Sequence, residues 1–246
     1  MPEEDLLALC CPATLAAHNA SAPDRSFGRK TLTRWTQLGL FRTESGTVGL
    51  ASGLDSLPTA GLEGVRAVGR VLRRLVFEHT AGDAELLESG HPADDLTWAL
   101  SWALAQDIFV LPGGAFRHIE PLEAGQFGTV EPYAFQNNTR WIGFKLWVPI
   151  LGFGWTETVG GNAVLIVDPT PAVDDVLTEL FATAAEFPIN ALLDHLSRVL
   201  PVLDGGRRRK EVEGRLDGSR WRETGPHEIS VSLSAALKAL EATDHL

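Results

Sequence analysis

Residues 27–50 read FGRKTLTRWTQLGLFRTESGTVGL. Leu32, Trp35 and Leu38 recur at three-residue steps, the apolar stripe of an amphipathic helix. On the same wheel Arg29, Lys30, Thr33, Arg34 and Gln37 gather on the opposite side. Gly39 then supplies a helix stop. Beyond it Phe41, Val48 and Leu50 point one way from two extended segments joined through Ser45-Gly46, a hairpin signature. A basic helix running into a hairpin is the order in which a winged helix-turn-helix presents a recognition helix and then a wing. Arg, Lys, Thr and Gln are the residues such a helix needs to touch phosphates and base edges. The same face also fits the solvated side of a winged domain that packs only on protein.

The remaining composition bounds the reading. At 246 residues the chain accommodates two domains, or one with small appendages, and 44% hydrophobic against 22% charged residues describes an ordinary globular protein. No apolar run reaches membrane-spanning length; the best candidate, Trp141 to Trp155, contains Lys145, Pro149 and several glycines. No charged segment followed by an apolar core opens the chain, so no secretion signal is expected. Cys10 and Cys11 are adjacent, a spacing that rarely bridges, and a reducing cytoplasm fits best.

The net charge of -11 is unevenly spread. Between Leu75 and Gly206 there are 18 acidic and 4 basic residues, whereas the rest of the chain holds 14 acidic and 17 basic. Sixteen of the 21 basic residues fall in 25–42, 66–74 and 207–222, a clustering that suggests local electrostatic footprints, although most charge runs are solvated helix faces.

Residues 3–9 predict a short helix, joined through 12–28, and no helix is visible ahead of it where a complete winged domain usually has one. Residues 61–79 predict a long helix with Val65, Val68, Leu72, Leu75 and Val76 on its apolar side and Arg66, Arg70, Arg73 and Arg74 on a separate stripe. Asp94 to Val110 reads as a buried helix carrying Trp98 and Trp102 on one face. The aromatic stretch 127–155, broken by Asn137-Asn138, Gly152 and Gly154, suggests turns and a short strand or two. Stacking of bases on it is conceivable, but aromatic runs usually build cores. Ala163 to Val167 is strand-like, and Thr170 with Pro171 opens a helix whose first turn would hold Asp174 and Asp175.

In the last third, one helix spans the leucines from Ile189 to Leu203, and a basic second helix runs from Arg207 to Leu216. A third is capped by Ser232 or Ser234. This resembles a second helix-turn-helix, with the chain ending before a wing. The expected fold is therefore α+β and mostly helical, with winged-helix-like domains at 1–53 and 188–246 flanking an acidic, Trp-rich domain at 54–187.

No nucleophile elbow, phosphate loop, dinucleotide glycine pattern or HExxH helix is present, and the seven histidines lie in different segments. Asp94-Asp95 and Asp174-Asp175 are more simply matched to helix dipoles than to a metal. The expectation is a protein without catalytic residues, metal or cofactor.

The opening motifs DLLALCCP and TLTRWTQLGLF, and more faintly VLPVLDGG with SLSAALKALE near the end, resemble the DpdG family. That resemblance implies a component of the bacterial system that inserts 7-deazaguanine derivatives into DNA and restricts unmodified DNA. It implies a non-catalytic component of an antiphage restriction complex; taken with the helix-then-hairpin reading of 27–50, the expected function is a winged-helix subunit of such a complex, contacting double-stranded DNA, docking partner proteins, or both. The alternative is a winged-helix transcriptional regulator whose central domain senses a small molecule. From the residues themselves, the expected nucleic-acid contacts are Arg29, Lys30, Thr33, Arg34, Gln37, Arg42, Arg207, Arg208, Arg209 and Lys210.

Overall fold

A computed structural model describes residues 1–11, 25–54, 57–58, 60–78, 90–128, 133–225 and 227–243. They belong to two compact units, Met1–Val76 and Phe77–Leu246. The fold class is α+β and mostly helical: the described residues form ten helices and two antiparallel hairpins.

The first unit contains α1 (Glu3–Cys10), α2 (Ser26–Gln37), the hairpin β1 (Phe41–Glu44) and β2 (Thr47–Leu50), and α3 (Gly61–Glu78) up to the division. The connection expected over 12–28 lies outside the described residues through position 24. Glu3, Glu4 and Asp5 occupy the first turn of α1, where their charge complements the helix dipole. The predicted stripe of α2 is buried, with Leu32, Trp35 and Leu38 each at most 8% exposed. Ser45 and Gly46 both have positive φ, 48° and 76°, the mirror-image turn whose twist matches a two-residue hairpin. The chain start extends this hairpin: Pro2 bridges Thr47, and Val48 N donates to Met1 O at 2.8 Å. Gly28 lets α1 and α2 approach closely, since a Cβ there would stand 2.9 Å from Cys11 Sγ and 3.1 Å from Leu7 Cδ2.

In α3 the buried line is Gly64, Ala67, Val71 and Leu75, and the last two pack with Leu54 against Leu40, Ala51 and Leu57. Val65 and Val68, expected on the apolar side, are 69% and 41% exposed. The other three members of the expected stripe, Leu72, Leu75 and Val76, are buried. Arg73 is buried, so the four-arginine stripe is also interrupted. His79, the expected last residue of this helix, lies outside the described residues.

The second unit begins its described part with α4 (Asp94–Ala105), which stops short of Val110 and buries Trp98 and Trp102 almost completely. Next come α5 (Phe116–Phe127), which no periodicity predicted, and α6 (Asn138–Ile150). The latter corrects the expectation of turns. Asn137 is a helix cap whose side chain accepts from Arg140 N at 3.0 Å, and Trp141, Phe144 and Val148 follow at helical spacing. Phe135 is the hub of this core, its ring 5.8 Å from Trp102, 5.0 Å from Trp141 and 4.9 Å from Phe144. The aromatic stretch is thus mainly core, though Trp155 is 44% exposed.

The hairpin β3 (Gly154–Val159) and β4 (Asn162–Val167) turns at Gly160-Gly161. Gly113 runs against it so tightly that a Cβ would fall 1.7 Å from Leu165 O, while Leu165 N donates to Gly113 O at 2.9 Å. In α7 (Thr170–Phe181) the cap position is Pro169 rather than Thr170, and Asp168 Oδ1 accepts from Thr170 N at 2.8 Å. Asp174 and Asp175 consequently sit one turn beyond the first.

The remaining helices are α8 (Ile189–Val199), α9 (Arg207–Glu213) and α10 (Val231–Ala242). Ser230 caps α10 in place of Ser232 or Ser234, its Oγ accepting from Leu233 N at 3.3 Å, and Ser232 Oγ donates to Leu104 O at 2.8 Å. Because α9 packs on α4 and α10 on α7, residues after 188 share one unit with those before. The division at Val76 coincides with neither expected boundary.

Candidate nucleic-acid interface

The α2 helix buries one side and presents the other. Lys30, Thr33, Arg34 and Gln37 are exposed, and so is Arg42 on β1, where Nη1 donates to Ser52 Oγ at 3.5 Å. The first four lie at i, i+3, i+4 and i+7 on one helix face, held in place by the inward Leu32, Trp35 and Leu38. That face combines two cations with two neutral hydrogen-bonding side chains, a set able to grip phosphate and to read donors and acceptors on a base edge.

Arg29, at the edge of the face, is engaged by α1. Its Nη1 donates to Glu3 Oε1 at 2.7 Å and its Nη2 to Glu4, while Arg25 meets Glu4 at 3.3 Å. Sequence reading did not single out Glu3 and Glu4 as partners, because 25 residues or more separate them from Arg29. The Arg29 side chain is 48% exposed, so these pairs are solvent-screened and contribute roughly 0–1 kcal/mol each.

The four basic residues that open α9 separate into two kinds. Arg208 and Arg209 are 1% and 0% exposed. Arg208 Nη1 lies 2.9 Å from both Glu211 oxygens, and Arg209 Nε donates to Glu213 Oε1 at 2.5 Å. Guanidiniums enclosed in this way do not reach a phosphate in this conformation. Arg207 is half-exposed and pairs with Glu211 at 3.1 Å, and Lys210 is exposed. Structure therefore gathers Lys30, Thr33, Arg34, Gln37 and Arg42 in one unit and places the α9 residues in the other.

One further titratable group stands out. Glu123 on α5 is 1% exposed, and both its oxygens accept from Phe135 N at 3.1 Å. Burial pushes its carboxyl up to about 7, against the lowering effect of the Phe135 and Ala134 backbone amides; the charge of Glu120 raises it further. It ties α5 to the turn that places Phe135 in the core. Among the described residues no group of three or more His, Cys, Asp and Glu could hold a metal ion, and no helix is long and apolar enough to cross a membrane.

The chain belongs to the DpdG-like family, whose family model matches residues 1–246, the full length given. Membership implies a component of the Dpd system and an association with the other proteins of that defence complex. No curated protein and no solved structure matches the chain.

Proposed function

We propose that Met1–Val76 is a winged-helix unit through which this Dpd component engages double-stranded DNA, as a non-catalytic subunit that also docks other proteins of the complex. The observation that carries the reading is α2 itself. Its apolar side is anchored by Leu32, Trp35 and Leu38, while Lys30, Thr33, Arg34 and Gln37 face solvent beside a tight hairpin bearing Arg42. In this reading α1 and α2 are the helix-turn-helix pair, β1 and β2 the wing, and Met1-Pro2 a short third strand on β2. The docking half of the proposal rests on α3, whose Leu62 and Val65 are 70% and 69% exposed.

Residues 1–76 contain nine basic and seven acidic residues, so attraction to DNA is local to the face rather than a property of the whole unit. Lys30, Arg34 and Arg42 as three phosphate contacts give a slope of log affinity against log salt of about -2.7. Between about 50 and 200 mM salt the affinity for a DNA duplex then falls about 40-fold. Fluorescence anisotropy of a labelled duplex measures this. A slope near zero, with binding unaltered by Lys30→Glu and Arg34→Glu, overturns direct DNA contact and leaves docking.

A further inference from the structure

The second unit contains a cavity of about 550 Å³ between the end of α4, α5 and the segment leading into α10. Its size lies within the range of small-molecule sites, about 300–1,000 Å³. Two buried carboxamides, Gln106 and Gln126, line it. They form a relay: Trp102 Nε1 donates to Gln126 Oε1 at 2.8 Å, Gln126 Nε2 to Gln106 Oε1 at 2.7 Å, and Gln106 Nε2 to Trp102 O at 3.0 Å. An indole N–H can only donate and a backbone carbonyl can only accept, so both ends fix the relay's direction and neither amide can be reversed.

The relay leaves each amide with one N–H and one carbonyl lone pair that it does not use. Polar groups at buried positions normally complete their hydrogen bonds, and both residues face the cavity. Trp221 forms another part of the wall, its ring locked by Nε1 donating to Ala105 O at 3.0 Å, and Leu111, Leu122 and Ile229 add apolar surface. The charges at the cavity decide against a polyanion. Arg220 and Arg222 are outnumbered by Asp107, Glu223 and Glu228, and Arg222 is already paired with Glu228 at 3.0 Å.

We propose that this cavity binds a neutral, planar heterocycle with neighbouring donor and acceptor groups, of nucleoside size. Gln106 and Gln126 supply the complementary pair of donors and acceptors, and the Trp221 wall with its leucines encloses the ring. The site is independent of the α2 face, so DNA binding can fail with this proposal intact, and the reverse.

Isothermal titration of the full-length protein with adenosine, guanosine, cytidine and uridine, each to about 1 mM, tests it. At least one nucleoside should bind with Kd below about 1 mM and more tightly than its 5′-monophosphate. Ile229→Trp, which fills the cavity without touching the relay, should weaken that binding at least tenfold at unchanged Tm, and Gln106→Leu, which also removes two buried hydrogen bonds and so lowers Tm, should weaken it at least tenfold. If Gln106→Leu does not fold, Ile229→Trp alone decides. Absence of binding by all four nucleosides, tighter binding of a monophosphate, or unchanged affinity in Ile229→Trp overturns the site.

Discussion

Replacing Glu3 and Glu4 together by glutamine should make the protein bind DNA more tightly and with a steeper dependence on salt. Both carboxylates hold Arg29 at the edge of the α2 face, through the 2.7 Å bond to Glu3 and the contact with Glu4. The pairs are exposed, so losing them costs the fold no more than about 1 kcal/mol each. Released, Arg29 becomes a fourth phosphate contact beside Lys30, Arg34 and Arg42. The slope of log affinity against log salt then moves from about -2.7 to about -3.6. Between about 50 and 200 mM salt the fall in affinity grows from about 40-fold to about 150-fold. Anisotropy with a labelled duplex at four salt concentrations reads the slope, and a thermal melt verifies the fold. Arg29→Ala closes the cycle, having little effect with Glu3 and Glu4 present and removing the whole gain without them. An unchanged slope in the correctly folded Glu3→Gln/Glu4→Gln protein refutes the placement of Arg29 at the DNA.

Two predictions concern the second unit. The native protein keeps the Glu123 proton up to a pH of about 7, whereas the unfolded chain releases it near 4.5, so this group's contribution to stability is lost as pH rises from about 4.5 to about 7 and is constant above. The loss amounts to at most about 3 kcal/mol. Glu123→Gln keeps an acceptor for Phe135 N and should flatten that dependence in urea denaturation at pH 5 and pH 8; identical pH profiles of the two proteins would count against a retained proton. Gly113→Ala drives a methyl group into Leu165 O, 1.7 Å from the new Cβ, and should cost about 3 kcal/mol, or about 6–12 °C of Tm. A melt within about 2 °C of the parent would show that the strand contact yields easily.

How far the fold could be read from the sequence follows from where the ordering information lies. In α2 and its hairpin the information is local: three apolar residues at helical spacing, a glycine stop and a Ser-Gly turn, and the structure contains each of them. In α6 the same local rule was available, with Trp141, Phe144 and Val148 in register, but Asn137-Asn138 has two local meanings. An asparagine that starts a turn and one that caps a helix look alike until the following side chains find a core, here around Phe135. The helix α5 was missed for a different reason: its inward residues include Glu123 and Gln126, polar side chains buried only because Phe135 N and Trp102 Nε1 meet them. Partners 12 and 24 residues away leave no mark on a hydrophobic pattern. The pairings of α9 with α4 and of α10 with α7 are likewise long-range and leave no mark on local composition.

The candidate site divides along a line that local sequence does contain. Among the basic residues opening α9, Arg207 and Arg208 have Glu211 at i+4 and i+3, and Arg209 has Glu213 at i+4, the spacings at which helical side chains meet. Those acids pair with the arginines along the helix, and packing against α4 then encloses two of the four. The stretch from Arg29 to Gln37 has no Asp or Glu at i+3 or i+4 from any of its basic residues. Its cations therefore have no acid at those spacings on their own helix; Lys30 and Arg34 are exposed, and Arg29, next to α1, meets carboxylates from a distant part of the chain. In density of positive charge alone, RRRK exceeds RKTLTR. Counting the acids one helical turn away reverses that order: it is the α2 face, poorer in charge, whose Lys30 and Arg34 lie exposed, as the proposed DNA contact requires.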